Sequence, residues 1–424
     1  MSEIQDEPYV LISADTHAGA DILDYKAYLA SSWHEEFDEW AGSFTDAWGL
    51  LDEADEESKV GPSSFGSSVN WDTPKRREHL ENQGIVGEVV FPNTVPPFYP
   101  SGVISAPGPR TQDEYDRRWA GVKAHNRWLV DFCAEMPGRR AGIAQLFLYD
   151  ADDAVKEVHW AKEHGLAGVL LPADHLLKME NLYYPRFDRV WEACADLGMP
   201  VHRHVIVPSE AASEESGDAA PAVGRHEAYW YGQRPLTHLI LAGVFDRFPK
   251  LRFVTTESLA QWVVPHLAAL DLYCESAMDS STLTSFYAGP AVAKLKRKPS
   301  EYFATNCYLG SFFNRGDIDA RHDIGVDRLM WGADYPHHEG TYPYTMEALR
   351  VDFAGVSQED VRMMTSGTAA DVYGFDLANL REIANEVGPR PSQVDVPLPR
   401  DQWPTDSVCP TLTTDWRDLV KSVS

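Results

Sequence analysis

The residues best suited to chemistry are acids and histidines that follow short apolar stretches. Asp15 and His17 stand two apart after "YVLIS", and His202 and His204 repeat that spacing in "PVHRHV". Imidazole and carboxylate groups together form a ligand set that suits Zn2+, Mn2+ or Fe2+. The set of interest has six members: Asp15, His17, His202, His204, Glu257 and Asp334.

The stretch "WGADYPHHEG", residues 331–340, ends an apolar run on Asp334 and then turns through Tyr-Pro-His-His. Taken singly, each candidate has a plainer interpretation. Asp334 and Asp15 suit turns, His202 and His204 suit a buried core, and Glu257 suits the start of a helix. Their joint placement after apolar runs favours a shared cation, because burying several carboxylates together without one is costly.

Eight short apolar runs are predicted to be strands that position these residues. Amphipathic stretches between them, at 113–136, 152–165 and 185–198, predict helices. This alternation predicts a (β/α)8 TIM-type barrel, in which the carboxyl ends of all strands meet at one face. A doubly wound sheet competes, but "ADTHAGAD" lacks the Gly-rich phosphate turn typical of that fold. The predicted strands are 9–14, 87–93, 141–148, 167–172, 199–205, 251–257, 302–308 and 328–334.

Three segments exceed a minimal barrel. We assign residues 1–375 to the barrel, with insertions at about 18–84 and 206–236, and residues 376–424 to a Pro-rich C-terminal arm. The insertions follow strands one and five, where a barrel builds its active site, so they are candidate lids. The arm suits contact with the domain or with a partner subunit, and we expect a homo-oligomer.

Composition narrows the function classes. The chain has 65 acidic and 37 basic residues, a formal charge of -28, which disfavours nucleic acid and anionic membranes as partners. No apolar run approaches the ~18 residues of a membrane span, and the acidic N-terminus does not resemble a signal peptide. Five scattered cysteines predict reduced thiols and a cytoplasmic protein, which leaves His and carboxylates as metal ligands.

Several stretches resemble the amidohydrolase superfamily, in the branch called amidohydrolase-related or amidohydrolase 2. They include "SADTHAG", "GLAGVLLPA", "LGMPVHRHV", "GVFDRFPKLRFVTTESLAQWVVPHL" and "LMWGADYPHHEGTYP", and the resemblance covers residues 9–20 and most of 78–375. It implies a metal-bearing barrel whose ligands are Asp15, His17, His204 and Asp334. By its spacing from Pro200, His204 matches the strand-five ligand better than His202.

The chain departs from that family's pattern in two places. Asp15-x-His17 stands where the better-known pattern is His-x-His, and Glu257 stands where many members place a histidine. The aminocarboxymuconate semialdehyde and resorcylate decarboxylases of this branch use that histidine in catalysis, so its replacement favours another reaction. Glu257 is therefore a candidate ligand, for a first or second ion, and a candidate acid/base or substrate-orienting group. Strand four, "GVLLPAD", offers no lysine for a carboxylated bridge.

The favoured prediction is a metal-dependent hydrolase that uses Zn2+, Fe2+ or Mn2+, as one or two ions. A bound cation lowers the pKa of water toward ~7, and Asp334 then takes the proton of that water. Glu257 and His337 complete the predicted catalytic set, and the metal, His337 or His338 polarises the scissile carbonyl. Aromatic residues in "FYPSG" and "EAYWYGQ" suggest a bulky organic acid derivative, such as an ester, thioester, amide or lactone.

Two alternatives remain open. The same metal and fold can support a non-oxidative decarboxylase or hydratase of an unsaturated or aromatic carboxylic acid, with Asp334 managing a proton at carbon. Release of carbon dioxide would distinguish that reaction from hydrolysis. The third possibility is a non-catalytic binding protein built on an inherited barrel, which absence of any metal affinity would support.

Overall fold

The computed structural model describes residues 6–44, 67–93, 95–101, 106, 108–172, 181–205, 217 and 219–414 of the 424-residue chain. Parts of both predicted insertions, the acidic stretch 51–59 and the last ten residues of the C-terminal arm lie outside these described residues. Among the described residues, none of the helices has the length and apolar character that crossing a bilayer requires.

Eight parallel strands form one sheet in the sequence order β1 to β8. The ends of the sheet approach each other where Thr16 pairs with Tyr335, just beyond β8. The His17 N–H donates to the carbonyl of Tyr335 at 2.7 Å, which closes the barrel. The predicted (β/α)8 barrel is thus confirmed. Its strands are β1 Leu11–Ala18, β2 Ile85–Pro92, β3 Arg140–Gln145, β4 Gly168–Leu170, β5 Val201–His204, β6 Phe253–Thr256, β7 Cys307–Ser311 and β8 Leu329–Trp331.

Helices alternate with the strands and cover the outside of the barrel. The helix predicted at 185–198 ends as expected, with Gly198 in the left-handed region at φ +64°. The longer helices are His34–Ser43, Thr73–Asn82, Gln112–Ala134, Ala151–Glu163, Asp188–Leu197, Ala219–Leu241, Val263–Met278, Leu283–Val292, Pro299–Asn306, Thr345–Phe353 and Leu377–Val387. Shorter ones are Val244–Arg247, Arg315–Asp319, Arg321–Ile324, Gln358–Arg362, Thr368–Tyr373, Pro391–Val394 and Pro410–Thr413.

The predicted position of strand seven, 302–308, was wrong. Residues Pro299–Asn306 form a helix, and β7 begins only at Cys307. Pro299 occupies the first helical turn, and the carboxylate of Glu301 accepts the backbone N–H of Lys298 at 2.7 Å. These capping interactions start a helix that the apolar side chains alone did not reveal.

The barrel interior is apolar at the end opposite the functional residues. Ile12 and Ala14 of β1 pack there with side chains from several other strands. Leu380 and Ala384 of the helix Leu377–Val387 belong to the same buried cluster. The described start of the predicted C-terminal arm therefore packs on the barrel itself.

Candidate active site

An irregularity in β1 turns Asp15 and His17 into the mouth of the barrel. Ser13 pairs with Glu88 of β2 and Thr16 with Val90, so three steps along β1 oppose two along β2. The extra residue reverses the alternation of side chains, as a β-bulge does. Before the bulge, the even-numbered residues of β1 face the barrel interior. After the bulge, the odd-numbered Asp15 and His17 face the mouth. Both side chains are buried.

The end of β8 brings Asp334 beside them. Met330 faces the barrel interior, and in an extended strand Gly332 and Asp334 follow on the same side. A Cβ atom on Gly332 would lie 2.6 Å from the Cβ of Asp15, so only glycine leaves room for that carboxylate. Asp334 itself adopts φ +53°, and its N–H donates to the carbonyl of Asp15 at 2.8 Å.

Strands β5 and β6 supply His204 and Glu257. Nε2 of His204 lies 3.3 Å from Oδ1 of Asp15, and its Nδ1 lies 3.6 Å from Oε2 of Glu257. Glu257 directly follows β6 with φ +53°, and the next α-helix starts only at Val263. Glu257 is therefore not the first residue of a helix but the end of a strand turned toward the mouth.

His202 has a structural role, unlike His204. Its Nδ1 lies 3.0 Å from the carbonyl of Val169, and its Nε2 lies 3.0 Å from the hydroxyl of Tyr373. Burial lowers the pKa of His202 to about 3, so the ring is neutral. Arg203, between these two histidines, alternates to the other face of β5 and donates to the carbonyl of Pro172.

The predicted site residues meet in one cluster. Nε2 of His17 lies 3.5 Å from Oδ1 of Asp15 and 3.2 Å from Oδ1 of Asp334. Nδ1 of His337 lies 3.0 Å from Oδ1 of Asp334, and the His337 ring stacks on that of His17 with centroids 4.0 Å apart. Three triads of potential ligand atoms each lie within 4.8 Å: Asp15–His17–His204, His17–Asp334–His337 and Asp15–Glu257–Asp334.

The donor set fits a divalent cation. Oδ2 of Asp15 and Oδ2 of Asp334 are buried and lack a hydrogen-bond partner, which is unusual for carboxylates. Nδ1 of His17 lies 3.0 Å from the carbonyl of Pro92, an acceptor for its N–H, so Nε2 presents its lone pair to the cluster. Nδ1 of His204 is similarly 3.2 Å from the carbonyl of Val205. Such hydrogen bonds orient metal-binding histidines.

Crowded carboxylates and histidines shift each other's protonation in the protein without metal. Burial raises the pKa of Glu257 well above its ordinary value, and the charge of Asp334 adds to this. Burial also raises the pKa of Asp334, but His337 and His17 outweigh it and lower the pKa overall. Burial lowers the pKa of His17, but the hydrogen bonds and charges of Asp15 and Asp334 outweigh burial and raise that pKa to about 10.

Asn93, which was not among the predicted site residues, holds one of the predicted catalytic groups. Asn93 directly follows β2, and its Oδ1 lies 3.0 Å from Nε2 of His337. The imidazole of His337 is therefore held between Asn93 and Asp334. The signal that identified the other residues, a polar side chain after an apolar run, was also present in "GEVVFPN".

A buried ionic network beneath the site was missed as well. Glu88 of β2 pairs with Arg76 at 2.6 Å and with Arg140 at 2.9 Å. Arg76 also donates to the carbonyl of His17 at 2.7 Å, and the Thr16 hydroxyl donates to Glu88 at 3.0 Å. This network fixes the backbone on both sides of the bulge. Its sequence signal was a single acid, Glu88, inside an otherwise apolar strand.

The sequence profile described as amidohydrolase matches residues 96–375. A gamma-resorcylate decarboxylase from Polaromonas sp. is 27% identical over 255 residues, which cover 55% of this chain and 72% of that protein. A gamma-resorcylate decarboxylase from Rhodococcus jostii is 24% identical over 287 residues, covering 64% of this chain and 82% of that protein.

Solved structures share the fold. The 5-carboxyvanillate decarboxylase from Sphingomonas paucimobilis superposes with a TM-score of 0.58 at 19% identity, covering 87% of this chain and 100% of that one. A dihydroxybenzoic acid decarboxylase from Polaromonas sp. superposes with a TM-score of 0.58 at 18% identity, covering 88% of this chain and 99% of that one. Its structure contains manganese and the inhibitor 2-nitroresorcinol.

The predicted hydrolase activity was wrong. The relatives in sequence are decarboxylases of aromatic acids, which agrees with the alternative reaction instead of cleavage of an ester, thioester, amide or lactone. Glu257 stands where decarboxylases of this branch were expected to place a catalytic histidine. That replacement changes one group in the cluster and leaves the metal-binding donor set intact.

Proposed function

Because the chain belongs to the amidohydrolase family, we propose that it is a metal-dependent, non-oxidative decarboxylase of an aromatic carboxylic acid. One observation carries this proposal. Asp15, His17, His204 and Asp334 converge with two unpartnered carboxylate oxygens, in a chain whose relatives are named decarboxylases. Manganese in related structures supports a divalent transition metal as the cofactor.

Asp15, His17, His204 and Asp334 would hold the ion, and Glu257 borders this set. When bound, the ion would supply positive charge that orients the acid through its oxygen atoms. Two of the four ligands are carboxylates, so the set favours a hard divalent ion such as Mn2+ over a thiolate-seeking one.

Asp334, whose lowered pKa keeps it ionised at rest, would first accept a proton and then deliver it to the ring carbon that carries the substrate carboxylate. The bond between that carbon and the carboxylate then breaks, its electron pair restores the aromatic ring, and carbon dioxide leaves. His337, with Nδ1 at 3.0 Å from Asp334, would supply that proton to the Asp334 carboxylate, while Asn93 holds the imidazole in place. Burial of Asp334 keeps bulk water away from this transfer.

The test is turnover by manganese-loaded protein with 2,6-dihydroxybenzoate and 5-carboxyvanillate. We expect carbon dioxide release and, in D2O, one deuterium at the vacated ring carbon. Asp334→Asn should lower kcat about 100-fold or more, the usual size of an acid/base contribution. Asp323→Asn is the matched control because Asp323 is exposed on the surface. Metal-loaded protein that releases no carbon dioxide from any aromatic acid would refute the proposal.

A further inference from the structure

The helix Ala219–Leu241 crosses the mouth of the barrel. A Cβ atom on Gly232 would lie 2.5 Å from Oγ of Ser258 and 3.6 Å from Cα of Val205, so the helix backbone rests on the ends of β5 and β6. Seven residues earlier, Arg225 lies 3.9 Å from Glu339, in the segment that follows Asp334. At 1.5 Å per residue these two points are about 10 Å apart along the helix axis.

One face of this helix looks onto the site. Arg225, Tyr229 and Gly232 are spaced by four and three residues and therefore share a face. Tyr229 stands between the two contacts, and burial raises the pKa of its hydroxyl. The charges of Glu257 and Asp334 act in the same direction, which agrees with a position of Tyr229 above the cluster.

The mouth is otherwise strongly acidic. The charges of Asp334, Glu339 and Asp15 raise the pKa of Glu257, and the charge of Arg225 opposes this effect. The contact between Arg225 and Glu339 is long, and the Arg225 side chain is 48% exposed, so this pair is weak. A substrate carboxylate that forms two short hydrogen bonds to the guanidinium would displace Glu339.

We propose that Arg225 is a specificity residue that binds a second, non-reacting carboxylate of an aromatic substrate. The proposal rests on the proposed function and names the substrate class, an aromatic acid with two anionic groups on its ring. The reacting carboxylate loses its charge as carbon dioxide, so a cation bound to it would stabilise the ground state more than the transition state. A second carboxylate keeps its charge throughout the reaction, so Arg225 stabilises the ground state and the transition state equally and does not raise the barrier.

The test measures binding by titration calorimetry to manganese-loaded protein, using vanillate and guaiacol. Guaiacol is vanillate without the carboxylate, so the pair isolates that group. Wild type should bind vanillate more tightly than guaiacol. Arg225→Gln should weaken the binding of vanillate about 10- to 100-fold, the usual cost of a lost charged hydrogen-bond pair, and leave the affinity for guaiacol unchanged within about twofold. Glu339→Gln should strengthen the binding of vanillate because it removes the carboxylate that competes for Arg225.

Arg225→Lys keeps the charge but not the two-pronged geometry, and should recover part of the affinity for vanillate. Arg247→Gln is the matched control, since Arg247 is 40% exposed and pairs with a single carboxylate, Asp188, at 2.8 Å. Equal affinities of wild type for vanillate and guaiacol, including no measurable binding of either, would overturn the inference. An equal loss of affinity for vanillate and for guaiacol in Arg225→Gln would also overturn the inference.

Turnover separates this inference from the proposed function. Carbon dioxide release with Arg225-independent binding of vanillate refutes only the role of Arg225. Arg225-dependent binding without carbon dioxide release refutes only the decarboxylase. If both hold, Arg225→Gln should raise KM for 5-carboxyvanillate about 10- to 100-fold and leave KM for 2,6-dihydroxybenzoate unchanged, because the latter has no second carboxylate.

Discussion

At the scale of single residues, Glu257 is the group whose role the family resemblance left most open. Its sequence position suggested either a metal ligand or a proton-handling group. The structure places Oε2 of Glu257 nearest Nδ1 of His204, whereas Nε2 of His204 faces Asp15. Glu257 thus lies beside the His204 nitrogen that does not face Asp15, although it also offers an oxygen within 4.8 Å of ligand atoms of Asp15 and Asp334. This geometry favours proton handling or substrate orientation.

We expect Glu257→Gln to retain bound metal and to lower kcat about 100-fold, because glutamine preserves the shape of the side chain but cannot carry a transferable proton. Elemental analysis gives the metal content, and steady-state assays give kcat and KM. Glu386→Gln, at an exposed position, is the matched control. Loss of the ion together with the activity would instead assign Glu257 as a ligand.

At the scale of elements, the strand ends are held in place by helices and loops that carry no chemistry themselves. The helix Thr73–Asn82, at the end of the first predicted insertion, contributes Arg76 to the network under His17. Burial raises the pKa of Glu88, but Arg76 and Arg140 outweigh it and lower the pKa to about 2. The network thus stabilises the bulge that aims Asp15 and His17.

Glu88→Gln should lower the free energy of unfolding at pH 7 by about 3–5 kcal/mol, because it leaves two buried guanidinium groups without a counter-charge. Urea denaturation measures the change. Glu81→Gln, which removes the partner of Arg139 nearer the surface, should cost about 1 kcal/mol or less. Equal effects of the two substitutions would show that burial does not strengthen the role of Glu88.

The pH dependence of the same variant follows from the lowered pKa. A carboxylate whose pKa is depressed in the folded state stabilises the protein above its ordinary pKa of 4.5 and loses that effect as the pH falls through about 2. The difference in unfolding free energy between wild type and Glu88→Gln should therefore shrink between about pH 4.5 and pH 2. A constant difference across this window would contradict the ionised state of Glu88.

At the scale of the whole molecule, the acidic mouth couples metal binding to stability. Burying Asp15, Glu257 and Asp334 together is unfavourable without a cation, so an ion that binds only the folded chain should raise its stability. At a free-ion concentration 100 times Kd the gain is about 2.7 kcal/mol. The homo-oligomer, the cytoplasmic location and the division at residue 375 remain predictions at this scale.

We expect a chelator to lower Tm by several degrees and added Mn2+ to restore it, as the mass-action gain requires. Differential scanning calorimetry on the full chain measures both. Asp15→Asn should lose most of the response to Mn2+, because it weakens the ligand set, whereas Asp323→Asn should keep it. An unchanged Tm in chelator and in Mn2+ would mean that the cluster holds no ion in the folded protein.

The sequence by itself determined the barrel, because alternating apolar runs and amphipathic stretches record which faces are buried. It also predicted a shared site for Asp15, His17, His204, Glu257, Asp334 and His337, which lie close together in the structure, since polar residues after apolar strands stand out locally. The bulge in β1 and the close approach of Gly332 to Asp15 depend on contacts between distant segments. Only the tertiary structure decided these, together with the placement of Arg225 over the mouth, because packing acts across the chain and leaves little trace in local composition.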